Sequence, residues 1–233
     1  DPLPEWDAAR YLNGTDITTI PTSRGGFLGE QFGADPVSMG VMPSSIDGSE
    51  PDHFLALRIA QAALDDALQG RDFDPIRTGI ILGHSTYLHR GNAAVVQHGV
   101  VLDQTRALLG QLMPDADPAV LDKVRSALEK QLPPFNSDTA PGLVPNVMTG
   151  RIANRLDLRG PNYLIDAACA SSLLSVQSAM IELRAGRSDL MLAGGVNASI
   201  SAEVYMVFAQ LGALSNKGVV RPFAEGGDGT LLG

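Results

Sequence analysis

The sequence predicts an α/β protein of layered α/β/α build around a mainly parallel, buried sheet, and three observations carry that reading. Three short apolar segments, TGIILG at 78–83, NYLIDAA at 162–168 and DLMLAGG at 189–195, have the length of strands and are bounded by turn residues. Longer stretches of helical period lie between them. Strands that alternate with helices feed a parallel sheet, and no internal repeat or low-complexity tract disturbs the alternation.

Residues 1–50 mix Gly, Pro and short apolar pieces such as GGFLGEQFG and MGVMPSSID, and read as a loop-rich opening segment. A helix is expected from Pro51, because Phe54, Leu55, Leu57, Ile59, Ala60, Ala63, Leu64, Ala67 and Leu68 recur at helical spacing and Gly70 supplies a stop. After the 78–83 strand, residues 92–132 carry two helical patterns divided by MPDADP at 113–118, with Asp117 as N-cap and Pro118 at the first helical position. This stretch reads as a helical insertion, and PPFNSDTAPGLVP at 133–145 ends it. VMTGRIANRLDLRG, 147–160, reads as a helix closed by Gly160. Residues 170–185 return to helical period, with Leu173, Leu174, Val176, Met180 and Leu183 on a mostly apolar face and Gly186 as the stop.

Composition limits the function classes. A hydrophobic fraction of 44% over 233 residues supports a packed core, and a formal net charge of -9 lacks the basic footprint of a nucleic-acid or anionic-membrane binder. No apolar run reaches the length of a membrane span, and DPLPEWDAARYLNG has no basic stretch followed by an apolar one, so a cytoplasmic location is expected. A single Cys excludes an internal disulfide and an all-cysteine metal cluster, which fits a reducing compartment. The chain opens at Asp1 and stops within LLG, so it reads as a piece of a longer polypeptide.

The most informative segment is DAACASS. Here a strand is expected to end at Ala168 and a helix to begin at or beside Cys169. Ala167, Ala168, Ala170, Ser171 and Ser172 leave room for a substrate. The unpaired N–H groups and dipole of a helix N-terminus favour thiolate over thiol and can hold an oxyanion. On these residues alone two readings stay open: a reactive nucleophile, or a small buried core residue.

The run NVMTGRIANRLDLRGPNYLIDAACASSLLSVQSA, 146–179, resembles the active-site block of the β-ketoacyl synthase (ketosynthase) family, with its D-x-A-C-x-S-S elbow. LMLAGGVNASIS and GALSNKGVVRPFAEGGDGTLLG resemble the family's A-G-G strand, A-L-S segment and R-P-F loop, and GGFLGEQFGAD and LALRIAQAALDDA match its first half more loosely. APGLVPNVMTGRIANRLDL and MPSSIDGSEPDHFLAL look closest to synthases of polyunsaturated-fatty-acid and related iterative polyketide type, including the glycolipid and enediyne kinds. Ala224 stands where the family usually has Asp after R-P-F, a departure confined to that loop that does not touch the nucleophile.

The resemblance implies a thiolase-like fold. Residues 1–233 would be the N-terminal portion of a ketosynthase domain and the first half of a duplicated architecture, with an insertion at about 92–132 and the nucleophile elbow at 163–186. It implies ping-pong decarboxylative Claisen condensation: Cys169 takes an acyl group from the phosphopantetheine arm of an acyl carrier protein, its backbone N–H serving as oxyanion donor, and yields it to a carbanion from malonyl carrier protein. Phe208, Met206, Met148 and Thr149 would line the substrate channel, with Tyr205 a weaker candidate. A homodimer through the strand before Cys169 is implied, with residues 139–144 near the partner, as are neighbouring synthase domains.

No cofactor or metal is expected to bind: AGG and GGDG lack the GxGxxG spacing, and His53, His84, His89 and His98 have no zinc-ligand spacing. These four also match neither the H-G-T-G-T nor the G-H block that carries the family's catalytic histidines, so none is assigned to catalysis. Asp166 reads as a structural hydrogen-bond acceptor. Competing functions are a catalytically silent chain-length-type partner, which would lack the Cys, a thiolase or initiation-type synthase using coenzyme A thioesters, and a cysteine hydrolase, for which no suitable His follows Cys169.

Overall fold

In the computed structural model, residues 8–12, 15–28, 35, 37–46, 49–87, 89–198 and 200–233 are described, and they fall into two compact units, 34–196 and 1–33 with 197–233. The larger unit is organised by β1 (Thr78–Gly83), whose uncharged residues are buried along its whole length. It is the centre of a parallel sheet of order β2-β1-β3, between β2 (Asn162–Ile165) and β3 (Leu190–Gly195). Ile80 lies opposite Asn162 and Leu192, and Gly83 opposite Ile165 and Gly195. The parallel sheet flanked by helices is as expected, with burial deepest along this central strand and β2 and β3 half-buried or exposed.

Side chains alternate across β1. Ile80 and Leu82 pack with Ala56, Leu57, Ala60 and Leu64 of α2 (Pro51–Leu68) and with Met148, Ile152 and Ala153 of α6 (Val147–Arg155). Each fully buried Leu or Ile contributes roughly 1.5–3 kcal/mol. α2 runs as the periodicity requires and stops where Gln69 and Gly70 both turn left-handed. α6 is shorter than expected: it ends at Arg155, and Asp157 at φ +53° turns the chain. Gly160 has a different task, since a Cβ there would lie 2.8 Å from Thr78 O, the carbonyl that accepts the Gly160 N–H.

The other face of the sheet carries α7 (Ser171–Arg184). Its buried residues are Ser171, Ser175 and Ala179, a stripe of small side chains four apart. The apolar residues that gave the helix its period, Leu173, Leu174, Val176, Met180 and Leu183, are exposed, with Leu173 at 75%. Periodicity found the helix, but the face on the sheet is the small one.

The insertion comprises α3 (Arg90–Val96), a π turn at Gln97–Val101, α4 (Leu102–Leu112) and α5 (Pro118–Glu129). Asp117 caps α5 by accepting the Ala119 N–H at 2.9 Å, as expected, and Arg106–Asp122 and Arg125–Asp103 pairs join α4 to α5. The π turn has no sequence signal. His98 within it bonds Pro133 O and lies beside Phe135, the two rings tilted by 35° with centroids 5.5 Å apart.

Polar groups are buried where α2 begins. His84 Nε2 bonds Asp52 Oδ2 at 2.8 Å, Glu50 accepts the Arg90 N–H, and His89 Nδ1 accepts the Gly91 N–H at 2.9 Å. His89 Nδ1 also lies 3.4 Å from Glu50 Oε1, but as an acceptor it has no proton to share, so the backbone bond governs. His53 is 1% exposed with neither ring nitrogen bonded among the described residues, and Arg151 lies over Phe54.

The smaller unit contains α1 (Ala8–Leu12) and α8 (Ala202–Gln210) and is centred on Ile20, Tyr205 and Leu214. Gly25 bridges to Leu232 and Leu214 to Thr230. Ser215 donates to Asp228 Oδ1 at 2.8 Å, joining the ALS and GGDG segments and holding the Asp228 carboxyl below the usual range. Of the opening segment, residues 1–7 and most of GGFLGEQFGAD, 29–34, lie outside the described residues.

Burial, and then the Arg151 charge, push the His53 pKa down from 6.5 to about 4, against the pull of Glu50 and Asp52. The folded-state value is depressed, so neutral His53 supports the fold fully above about pH 6.5 and that support is lost as pH falls toward 4, a difference on the order of 3 kcal/mol. Urea midpoints should therefore fall more steeply from pH 7 to 4.5 in the wild type than in His53→Phe. Parallel pH dependences would refute this.

Candidate active site

The thiol of interest sits where the chain passes from β2 to α7. β2 stops at Ile165, and Ala168 takes a left-handed backbone conformation at φ +50°, which costs an L-residue about 1–2 kcal/mol. Ala168–Ala170 then form a 3-10 turn, and α7 begins only at Ser171. The strand thus ends three residues earlier than the sequence indicates, and Cys169 stands in the turn beside the start of the α-helix, as expected. Ala168 is the reason: a left-handed residue cannot belong to either element.

The turn is held from both sides. Ser171 Oγ accepts the Ala167 N–H at 2.8 Å and donates to Ala168 O at 2.7 Å. Asp166 Oδ1 accepts the Ala168 N–H at 3.1 Å, and Oδ2 accepts from Thr86 Oγ1 at 2.6 Å and Thr86 N at 2.9 Å. The Thr86 hydroxyl, then the Thr86 and Ala168 amides, hold the Asp166 carboxyl below the usual carboxylate range. Asp166 is therefore the structural acceptor expected from the sequence. Thr86 and the gripping role of Ser171 are new, because nothing near Thr86 in sequence marks it as a neighbour of the elbow.

Two glycines let α7 approach. A Cβ on Gly83 would fall 2.5 Å from Ser172 N, and one on Gly195 would fall 2.7 Å from Ser172 Cβ. Ser175 Oγ spans the contact, bonding Ser172 O and Gly194 O at 2.7 Å each. Gly195, in the AGG segment, thus serves close packing against α7. The result is an exposed Cys169 whose N–H has no acceptor among the described residues.

Of the expected channel residues, Met148 and Thr149 share a unit with Cys169 and are fully buried on α6, Met148 in the core and Thr149 bonded to Asn146 O. Phe208 and Met206 belong to the other unit, half-buried around Tyr205, which is itself fully buried. Thr139 is buried and Val144 exposed. His53, His84 and His89 lie in the buried cluster at the start of α2, and His98 in the insertion. Among the described residues no group of three His, Cys, Asp or Glu side chains is placed to hold a metal ion, and no helix is long and apolar enough to cross a membrane.

The family described as Beta-ketoacyl synthase, N-terminal domain, matches residues 1–233. The chain is 30% identical over 226 residues to polyketide synthase PksN of Bacillus subtilis, and 30% over 241 residues to a polyunsaturated fatty acid synthase polypeptide of a Thraustochytrium species. Each alignment covers 97% of this chain but only 3% and 8% of those relatives. An oxazolomycin ketosynthase domain from Streptomyces albus superposes with a TM-score of 0.70 at 24% identity, over 99% of this chain and 35% of that one. A ketosynthase from the bacillaene synthase of Bacillus subtilis, solved as a cysteine-to-serine variant, gives 0.68 at 22%, over 99% and 32%. The fold is thus that of ketosynthase domains, thiolase-like, as expected.

The packing around the turn makes opposite demands at two small residues. Gly83→Ala should destabilise the protein by about 1–3 kcal/mol, because the start of α7 must retreat. Ala168→Gly should stabilise it by up to about 1 kcal/mol by removing left-handed strain. Denaturant midpoints of the two variants measure both, and effects of the same sign would contradict the described turn.

Proposed function

From the premise that this chain belongs to the β-ketoacyl synthase family, as its N-terminal domain, we propose that Cys169 is the acyl-accepting nucleophile of a decarboxylative Claisen condensation in polyketide or fatty-acid chain extension. The observation that carries this is the exposed Cys169 in a strained turn between β2 and α7, whose N–H has no acceptor among the described residues. The thiolate attacks the carbonyl carbon of an acyl thioester, and negative charge gathers on the carbonyl oxygen, where the Cys169 N–H can donate. The carbonyl–sulfur bond to the donor then breaks, its sulfur takes a proton, and the acyl group remains on Cys169. A carbanion formed by loss of carbon dioxide from a malonyl thioester attacks that acyl carbon and frees the thiol. No histidine of this chain is assigned to generating the carbanion.

The donor fitting this chemistry is the phosphopantetheine arm of an acyl carrier protein. The named relatives are polyketide and polyunsaturated fatty acid synthases far longer than this chain, which supports neighbouring synthase domains. Among the described residues β2 pairs with β1 alone and keeps Asn162 and Tyr163 exposed, which supports a homodimer through this edge.

Intact-mass spectrometry after incubating the full-length protein with an acyl-phosphopantetheine thioester tests the assignment. A single acyl adduct should form on the wild type and be lost in Cys169→Ala. A folded wild type that takes no acyl group would instead indicate a silent chain-length-type partner, and loading from coenzyme A but not from carrier protein would indicate a thiolase or initiation-type synthase.

A further inference from the structure

We propose that Thr86 is a positioning residue for Cys169, acting through Asp166; this rests on the reading of Cys169 as the acyl acceptor. The Asp166 carboxylate joins the ends of two neighbouring strands, one oxygen taking both donors of Thr86 beyond β1 and the other taking the Ala168 N–H beyond β2. Ala168 is the strained residue directly before the nucleophile. A left-handed alanine persists only where its surroundings over-determine it, and this bond is one of those determinants.

Thr86 is itself anchored. Its carbonyl accepts from Asn92 Nδ2 at 3.1 Å, and Asn92 lies in the first turn of α3. That turn is fixed by His89 Nδ1 on the Gly91 N–H and by Glu50 on the Arg90 N–H, both acceptors being buried. A line of hydrogen bonds therefore runs from the buried start of α2, through α3 and Thr86, to the Asp166 carboxylate and the elbow. Sγ and the N–H that faces the oxyanion belong to the same residue, so a small rotation at Ala168 misplaces both, and attack on a thioester is sensitive to displacements of about an ångström.

The test uses full-length wild type, Thr86→Val, Thr86→Ser and Cys169→Ala, following acylation from acyl-phosphopantetheine by intact mass as a function of thioester concentration. In Thr86→Val the saturating acylation rate should fall by about tenfold, while the half-saturating concentration changes less than about twofold. Thr86→Ser, which keeps the hydroxyl donor, should restore the rate. Thermal midpoints establish that all variants are folded, and if Thr86→Val is not, Asp166→Asn replaces it with the same expectation. Wild-type acylation at an unchanged rate in Thr86→Val, or no recovery in Thr86→Ser, overturns the proposal while the Cys169 reading stands. Absence of any adduct on wild type overturns that reading itself.

Discussion

The close approach of α7 to the sheet is the constraint on which the rest of the larger unit depends. A helix normally stands off a sheet by the thickness of its side chains. Here Gly83 and Gly195 remove that thickness on the strand side, Ser171, Ser175 and Ala179 keep it small on the helix side, and Ser175 bonds the Gly194 carbonyl across the gap. With the helix so near, the chain has only a few residues in which to rise from β2 and turn back. It does so by placing Ala168 in a left-handed conformation and winding one 3-10 turn, and that turn carries Cys169 outward.

Much of this framework was legible in the sequence, for identifiable reasons. TGIILG read as a buried strand from its short apolar run, which the structure bears out, and α2 and α5 announced themselves by period, stop signal and cap. The D-x-A-C-x-S-S segment drew attention to Cys169, and Asp166 was correctly read as an acceptor. What the sequence misjudged lies where tertiary contacts override local signals. Helical period cannot say which face of α7 meets the sheet when the inward side chains are serine and alanine. Gly160 looked like a helix stop but serves the packing of the chain against Thr78, the helix having already ended at Arg155. Nothing local distinguishes the π turn at 97–101 from the α-helices on either side of it.

Polar residues fell outside sequence reasoning for a further reason: their partners are distant in the chain. Thr86 and Asp166 are eighty residues apart, and Asp52 and His84 thirty-two. Each pair is meaningful only once β1, β2 and α2 have been assembled. The two groups differ in environment. Asp52, His84 and His53 are sealed from water, so their arrangement bears mainly on folding and its dependence on acidity, whereas Asp166 is open to solvent and its hydrogen bonds shape a functional loop. A buried foundation and an exposed working end are thus joined by only a few residues of the loop after β1.

The two sheet glycines carry a consequence at the level of the gene. Every amino acid reachable from a glycine codon by a single nucleotide change bears a β-carbon, so no one-step missense mutation at Gly83 or Gly195 preserves the clearance that Ser172 needs. The codons for Leu173 and Ile181, on the outward face of the same helix, lie under no such restriction from the sheet. Random mutagenesis of this region should accordingly leave a sequence record in which two positions within the strands are nearly silent and the adjoining helix varies with a period of about four residues.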